Sequence, residues 1–147
     1  MILIDTSVIV DVLRGNYNEK VKLWEEIAES NTRLGISIYT YIEILQGAKS
    51  EKEYEQLDEY LSSLEIYYFP NRIESYKSAA KIYFDLRRKG KTIRSTIDIL
   101  IAATAIYNEL YLLHNDRDFD IIAEVIPTLK IYRNQTNANN YSGQGEG

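Results

Sequence analysis

The chain has 147 residues, no cysteine and a formal net charge of −5. A single domain of this length buries enough surface to build its own core. The lack of cysteine excludes disulfides and thiolate-held metals, and the acidic balance argues against tight non-specific binding of phosphate by this chain alone. The opening Met-Ile-Leu-Ile-Asp5 has neither the basic nor the long apolar part of a secretory leader. No apolar run approaches the ~20 residues of a membrane span, so the expected compartment is the cytoplasm, with no membrane partner.

In chain order, residues 2–5 read as a strand and 6–15 as a short helix stopped at Gly15. Tyr17 to Ser30 carries Val21, Trp24, Ile27 and Ala28 at helical spacing. Leu34 to Ile38 predicts a second strand, and Thr40-Tyr-Ile-Glu43 a capping box opening a helix that runs to Gly47. Residues 51–63 predict an amphipathic helix with Tyr54, Leu57, Leu61 and Leu64 on one face, and Ile66 to Phe69 a strand closed by Pro70. Asn71-x-x-Glu74 predicts the cap of a long helix that ends at Gly90 after Arg87-Arg88-Lys89. Thr96 to Leu110 is a strongly patterned helix whose Ala102, Ala103 and Ala105 allow close approach to a sheet. Tyr111 to Leu113 predicts a strand, Asp116 to Glu124 a short helix and Leu129 to Tyr132 a last strand. Strands alternating with helices predict one three-layer α/β/α domain over residues 1–133, with a mainly parallel sheet of four to five strands. Asn134 to Gly147 lacks periodicity and reads as a disordered tail.

Five acids fall at the joints of this pattern: Asp5 after the first strand, Glu43, Asp98, and Asp116 and Asp118 after a later strand. Ligands of an open parallel sheet sit beyond the carboxyl ends of its strands. Two carboxylates ~4 Å apart repel by roughly 4 kcal/mol at an effective dielectric of 20, and a hard cation such as Mg²⁺ removes that cost. A bound metal ion also acidifies water and stabilises charge on a phosphoryl oxygen, so the set suits phosphodiester hydrolysis. With one histidine and no cysteine, a zinc site of the usual kind is disfavoured. Each acid alone has an ordinary alternative. Asp5 and Asp116 could be helix caps, Asp98 a partner of a helix dipole, and Glu43 and Asp118 solvated surface acids.

Asp5-Thr6-Ser7, Tyr41-Ile42-Glu43 with Gly47-Ala48, Thr92 to Asp98 with Ile101-Ala102-Ala103, and His114-Asn-Asp116-Arg-Asp118-Phe119 together resemble the PIN-domain ribonucleases. Among these they resemble the VapC toxins of VapBC toxin–antitoxin pairs. The resemblance covers residues 1–133 and implies an Mg²⁺- or Mn²⁺-dependent endoribonuclease acting on structured RNA, often tRNA. It implies Asp5 and Asp98 as first metal ligands, Glu43 and Asp116 completing a catalytic quartet, Asp118 as an additional acid, and Ser7 as a hydroxyl near the metal. It also implies a homodimer, and a VapB-like antitoxin that wraps the toxin, blocks the acidic pocket with a basic side chain and is the only route to DNA.

Other readings compete. A phosphoacceptor signalling module would want paired acids after the first strand and a lysine after the last, whereas Asp5 stands alone and Lys130 lies inside its strand. A dehalogenase-type phosphatase would want Asp-x-Asp-x-Thr in place of Asp-Thr-Ser-Val-Ile. A catalytically silent PIN-like scaffold is the remaining alternative, although every acid is present. The basic cluster Arg87, Arg88, Lys89, Lys91 and Arg94 reads either as cations completing a helix C-terminus or as a phosphate guide, with Arg94 the best candidate for the second role. Trp24 reads as core or partner surface, and His114 as packing or a hydrogen-bond partner behind the acids.

Overall fold

A computed structural model describes residues 1–134. The tail predicted after Asn134 lies outside the described residues. The described residues form five strands and seven helices, with one or two helices between successive strands: β1 (Ile2–Ile4), α1 (Thr6–Arg14), α2 (Glu19–Glu29), β2 (Leu34–Ser37), α3 (Ile38–Gln46) and α4 (Glu51–Ser62), then β3 (Glu65–Tyr67), α5 (Ile73–Arg88), α6 (Thr96–Tyr107), β4 (Tyr111–Leu113), α7 (Arg117–Val125) and β5 (Lys130–Ile131). The sheet order is β3-β2-β1-β4-β5, and all four pairings are parallel. The chain winds outward from β1 to β3, then returns to the other side of β1 with β4. The switch point of the sheet therefore lies between β1 and β4, where an open α/β fold leaves its binding crevice.

Side chains alternate along a strand, and β1 shows the result. Leu3 faces one core with Leu112, Ala79 and Leu86 of α5, Ile101 and Ala102 of α6, and Phe119 of α7. Ile2 and Ile4 face the other with Val8 and Ile9 of α1, Leu23 and Ile27 of α2, Ile44 of α3 and Leu61 of α4. α6 is apolar almost all round, with Ile99, Ile101, Ala102, Ala103, Thr104 and Ala105 buried, as expected of a helix enclosed by neighbours. Thr104 tolerates burial by donating its hydroxyl to the Leu100 carbonyl at 2.7 Å. Among the described residues, no helix is long and apolar enough to cross a membrane.

Two predicted helix starts are corrected. α3 begins at Ile38, not Thr40, because the Ser37 hydroxyl caps it by accepting the Thr40 N–H at 3.0 Å. The sequence holds two hydroxyls in the same register as a cap, and the buried one at the strand end takes the role. Asn71 does not cap α5. Arg72 occupies that position without a side-chain cap, and the Asn71 side-chain Oδ1 instead accepts the Tyr76 hydroxyl at 3.1 Å. Leu64, expected on the α4 helix, lies beyond its end.

Gly35 matters for the edge of the sheet. A Cβ there would stand 2.5 Å from the Glu65 carbonyl oxygen and 2.7 Å from the Tyr67 ring, so β3 can pair with β2 only against a bare Cα. Gly35→Ala is expected to cost about 1–3 kcal/mol by overpacking, read as a lower denaturant midpoint. An unchanged midpoint would mean that β3 shifts without penalty.

Candidate metal centre

The acids are placed by backbone geometry that the adjoining elements impose. Asp5 ends β1 and caps α1, and Asp116 follows β4 and caps α7. Both are therefore caps, and both stand at the switch point. The Asp5 side chain is enclosed. Its Oδ2 accepts the Ser7 N–H at 3.0 Å and the Ser7 hydroxyl at 2.6 Å, while Oδ1 is buried with no partner. Ser7 Oγ in turn accepts the Asn115 N–H at 2.9 Å, tying the ends of β1 and β4 together.

Asp98, in the first turn of α6, joins Asp116 and Asp118. One carboxylate oxygen from each of the three lies within 4.8 Å of the others. Asp5 is outside this triplet but close enough to act on it. Burial first, then the charges of Asp5, Asp116, Glu43 and Asp118, push the Asp98 carboxyl up to about 7. Burial likewise raises Asp5 to about 6, against the lowering effect of the Ser7 hydrogen bonds and with a smaller raising contribution from Glu43. The charges of the other four predicted acids thus all bear on Asp98.

Glu43 is held at one end of a chain of hydroxyls. Thr6 Oγ1 lies 2.7 Å from Glu43 Oε1 and 3.1 Å from Thr40 Oγ1, and Ser37 Oγ lies 3.3 Å from Thr40 Oγ1. A carboxylate only accepts, so the single Thr6 proton goes to Glu43, Thr40 donates to Thr6 and Ser37 donates to Thr40. Ser37 and Thr40 are fully buried, which fixes α3 and its Glu43 against the start of α1. In the sequence Thr40 reads only as a helix cap and Thr6 only as part of Asp5-Thr6-Ser7, and nothing local marks either as a partner of Glu43.

Of the remaining candidates, His114 is buried behind the acids, with Nδ1 accepting the Asp116 N–H at 3.1 Å and Nε2 3.3 Å from Asp120 Oδ1. Arg94 is exposed in the segment that leads into α6. Arg87 and Arg88 lie in the last turn of α5 and stack over Tyr83 and Phe84, at 5.8 and 5.7 Å from the ring centroids. Lys89 is the C-cap residue of α5. This part of the cluster serves the helix end. Asp11, a sixth nearby acid, is held below the usual carboxylate range by Asn18 first and then Asn115 and Asn16. An apolar cleft of about 410 Å³ between α5 and α6, lined by Phe69, Ser78, Ile82, Ala103 and Ile106, offers no comparable set of charged groups.

The sequence matches the PIN domain over residues 2–125. The chain belongs to the PIN-domain family. Within that family, this PIN domain is 35% identical over 126 residues to the VapC ribonuclease Mb1587 of Mycobacterium bovis and to ribonuclease VapC11 of Mycobacterium tuberculosis, an alignment covering 85% of this chain and 93% of each relative. Its fold matches a chain in the crystal structure of VapBC2 from Rickettsia felis bound to a promoter DNA fragment, with a TM-score of 0.70 and 26% identity over 90% of this chain and 98% of that one. The PIN fold agrees with the expected architecture, a three-layer α/β/α domain whose five-stranded sheet is parallel throughout.

The acid set suits a hard divalent cation. Its donors are carboxylate oxygens alone. Two oxygens on one Mg²⁺ stand about 3–4 Å apart, and the three carboxylate oxygens here already lie within 4.8 Å of one another. The orphaned Asp5 Oδ1 also needs a cation, a water or a proton to offset its burial.

Proposed function

We propose that this chain is the toxin of a VapBC-type toxin–antitoxin pair and acts as an Mg²⁺- or Mn²⁺-dependent endoribonuclease. The observation that carries this reading is the convergence of Asp98, Asp116 and Asp118, with Asp5 and Glu43 coupled to them, at the switch point of the sheet. The names of its relatives, VapC ribonucleases and a VapBC complex, supply the substrate class and the partner.

Asp98, Asp116 and Asp118 would hold the cation, and Asp5 would join them from β1. When bound, the cation supplies an activated water and stabilises charge on the scissile phosphate. The chain's own residues set the geometry. Ser7 holds Asp5 Oδ2, which leaves Oδ1 as its free oxygen. Thr6 holds Glu43 Oε1, which leaves Oε2 to accept a proton or orient a water. A polyanion can approach five acids only when their charge is offset, which is why RNA binding and metal binding are coupled in this reading.

The expected substrate is tRNA, and the expected assembly is a homodimer bound to a VapB-like antitoxin whose basic side chain enters the acid set. DNA contact belongs to the antitoxin. Purified, partner-free protein should cut total tRNA into discrete fragments with Mg²⁺ or Mn²⁺ and stop with EDTA. Folded protein that cuts no RNA in either metal would remove the nuclease reading in favour of a silent scaffold.

Arg94 is the exposed cation nearest in sequence to Asp98 and has no hydrogen bond or ion pair with the described residues. It is therefore free to meet a phosphate. Arg94→Ala is expected to weaken RNA binding and lower the salt slope by about one. An unchanged slope would remove Arg94 from the RNA contact.

A further inference from the structure

We propose that His114 is a positioning residue for the acid centre. Its ring fixes the turn at Asp116 and thereby sets where the Asp116 and Asp118 carboxylates stand relative to Asp98. The inference rests on the metal-centre reading above for its effect, but not for its geometry.

Only His114, Asn115 and Asp116 separate β4 from α7. The Asp116 N–H lies outside the helix ladder and needs a partner, and His114 Nδ1 supplies it at 3.1 Å. A nitrogen that accepts an N–H carries no proton, so the ring proton is on Nε2. Nε2 stands 3.3 Å from Asp120 Oδ1, where a donor is required. Asp120 is steadied from its other side by Arg133 Nη2, also bound to Oδ1, at 3.2 Å. The ring centroid lies 5.2 Å from that of Phe119, which is fully buried. His114 therefore braces the turn through the backbone of residue 116 and the side chains of 119 and 120.

Asp118 depends on the same brace, because its N–H donates to Asp116 Oδ1 at 2.9 Å. Two of the three clustered carboxylates are thus suspended from one backbone segment. An apolar side chain could fill the same buried space (His114 is 3% exposed), but it could not accept the Asp116 N–H. The polar contact, not the volume, would then be what carries the position into the acid centre. Partners behind metal ligands commonly alter affinity by ~10–100-fold when removed.

The test compares His114→Leu, His114→Gln and His114→Asn with wild type, using two readouts that need no RNA. One is amide hydrogen exchange at Asp116. The other is affinity for Mn²⁺ alone, measured by electron paramagnetic resonance. Leu removes both ring contacts, and Gln extends towards Asp120. Asn can place Oδ1 where Nδ1 stands and should restore the acceptor. We expect fast exchange at Asp116 and Mn²⁺ affinity lower by about 10–100-fold in the Leu and Gln variants, with slow exchange and near wild-type affinity in the Asn variant. If the Leu variant does not fold, the polar Gln and Asn pair carries the comparison. Folded Leu or Gln variants with wild-type Mn²⁺ affinity would overturn the proposal, as would an Asp116 amide that exchanges quickly in wild type. If wild type protects Asp116 yet binds no Mn²⁺, the metal reading fails and the brace on the turn stands.

Discussion

Asp98→Asn is expected to lower RNA cleavage by about three orders of magnitude while leaving the protein folded. Asn keeps the size of the side chain and removes one negative charge from the triplet with Asp116 and Asp118. A metal ion contributes several kcal/mol of charge stabilisation, and each 1.36 kcal/mol is tenfold in rate. Loss of one of these ligands therefore reaches about 10³-fold. The fold should survive because burial and four neighbouring acids already disfavour the Asp98 charge. Asp11→Asn is the control. It changes an acid near the same end of the sheet that is occupied by asparagine side chains, and it should leave the rate nearly unchanged. The measurement is the single-turnover rate on one RNA with each purified variant. A rate for Asp98→Asn within tenfold of wild type would remove Asp98 from the reaction.

The metal-free protein is expected to lose stability as pH rises from about 4 to about 8, the reverse of ordinary acid denaturation. Asp5 and Asp98 are raised from 3.8 to about 6 and about 7, in both cases chiefly by burial. Between those values and 3.8 the folded chain holds protons that the unfolded chain has released, so stability falls with rising pH. The contribution is complete below the unfolded value and lost as pH passes through the folded ones. For Asp5, which is enclosed, it amounts to about 3 kcal/mol. Asp98 is partly open to solvent and adds less. Saturating Mg²⁺ should reverse the trend, because ligands must shed protons to bind and metal affinity therefore grows with pH. Guanidinium unfolding in EDTA at pH 5 and pH 8 gives the comparison, with Asp98→Asn beside wild type. The variant should lose less stability over that interval, and its advantage should be largest at pH 8. Equal pH dependence in the two proteins would show that Asp98 is not protonated preferentially in the fold.

Much of this arrangement is legible from the chain because the informative residues stand at element boundaries. Ile2 to Asp5 and Tyr111 to Asp116 each run apolar and then acidic, and both acids prove to be caps at the switch point. The small residues of α6 mark its enclosure, and Ala102 and Ala105 are fully buried. Strand order is less legible, since pairing β1 with β4 joins residues more than a hundred positions apart, and no local pattern encodes it. The start of α3 is not fixed locally, because Ser37 and Thr40 both carry cap-forming hydroxyls and only the end of β2 decides between them. That ambiguity hides the contact of Glu43 with Thr6, which is made across helices and not along one. His114 is similar. The residue type signals little, and its role depends on which atoms face its two ring nitrogens.

Anomalous diffraction from crystals soaked in Mn²⁺ tests most directly whether these acids form a metal site. A single strong peak, or a close pair, is expected within coordination distance of Asp98, Asp116 and Asp118, with Asp5 Oδ1 turned towards it, and it should vanish in Asp98→Asn. Absence of any peak there, at a Mn²⁺ concentration that supports cleavage in solution, would contradict a metal site at these acids and place the chemistry elsewhere on the molecule.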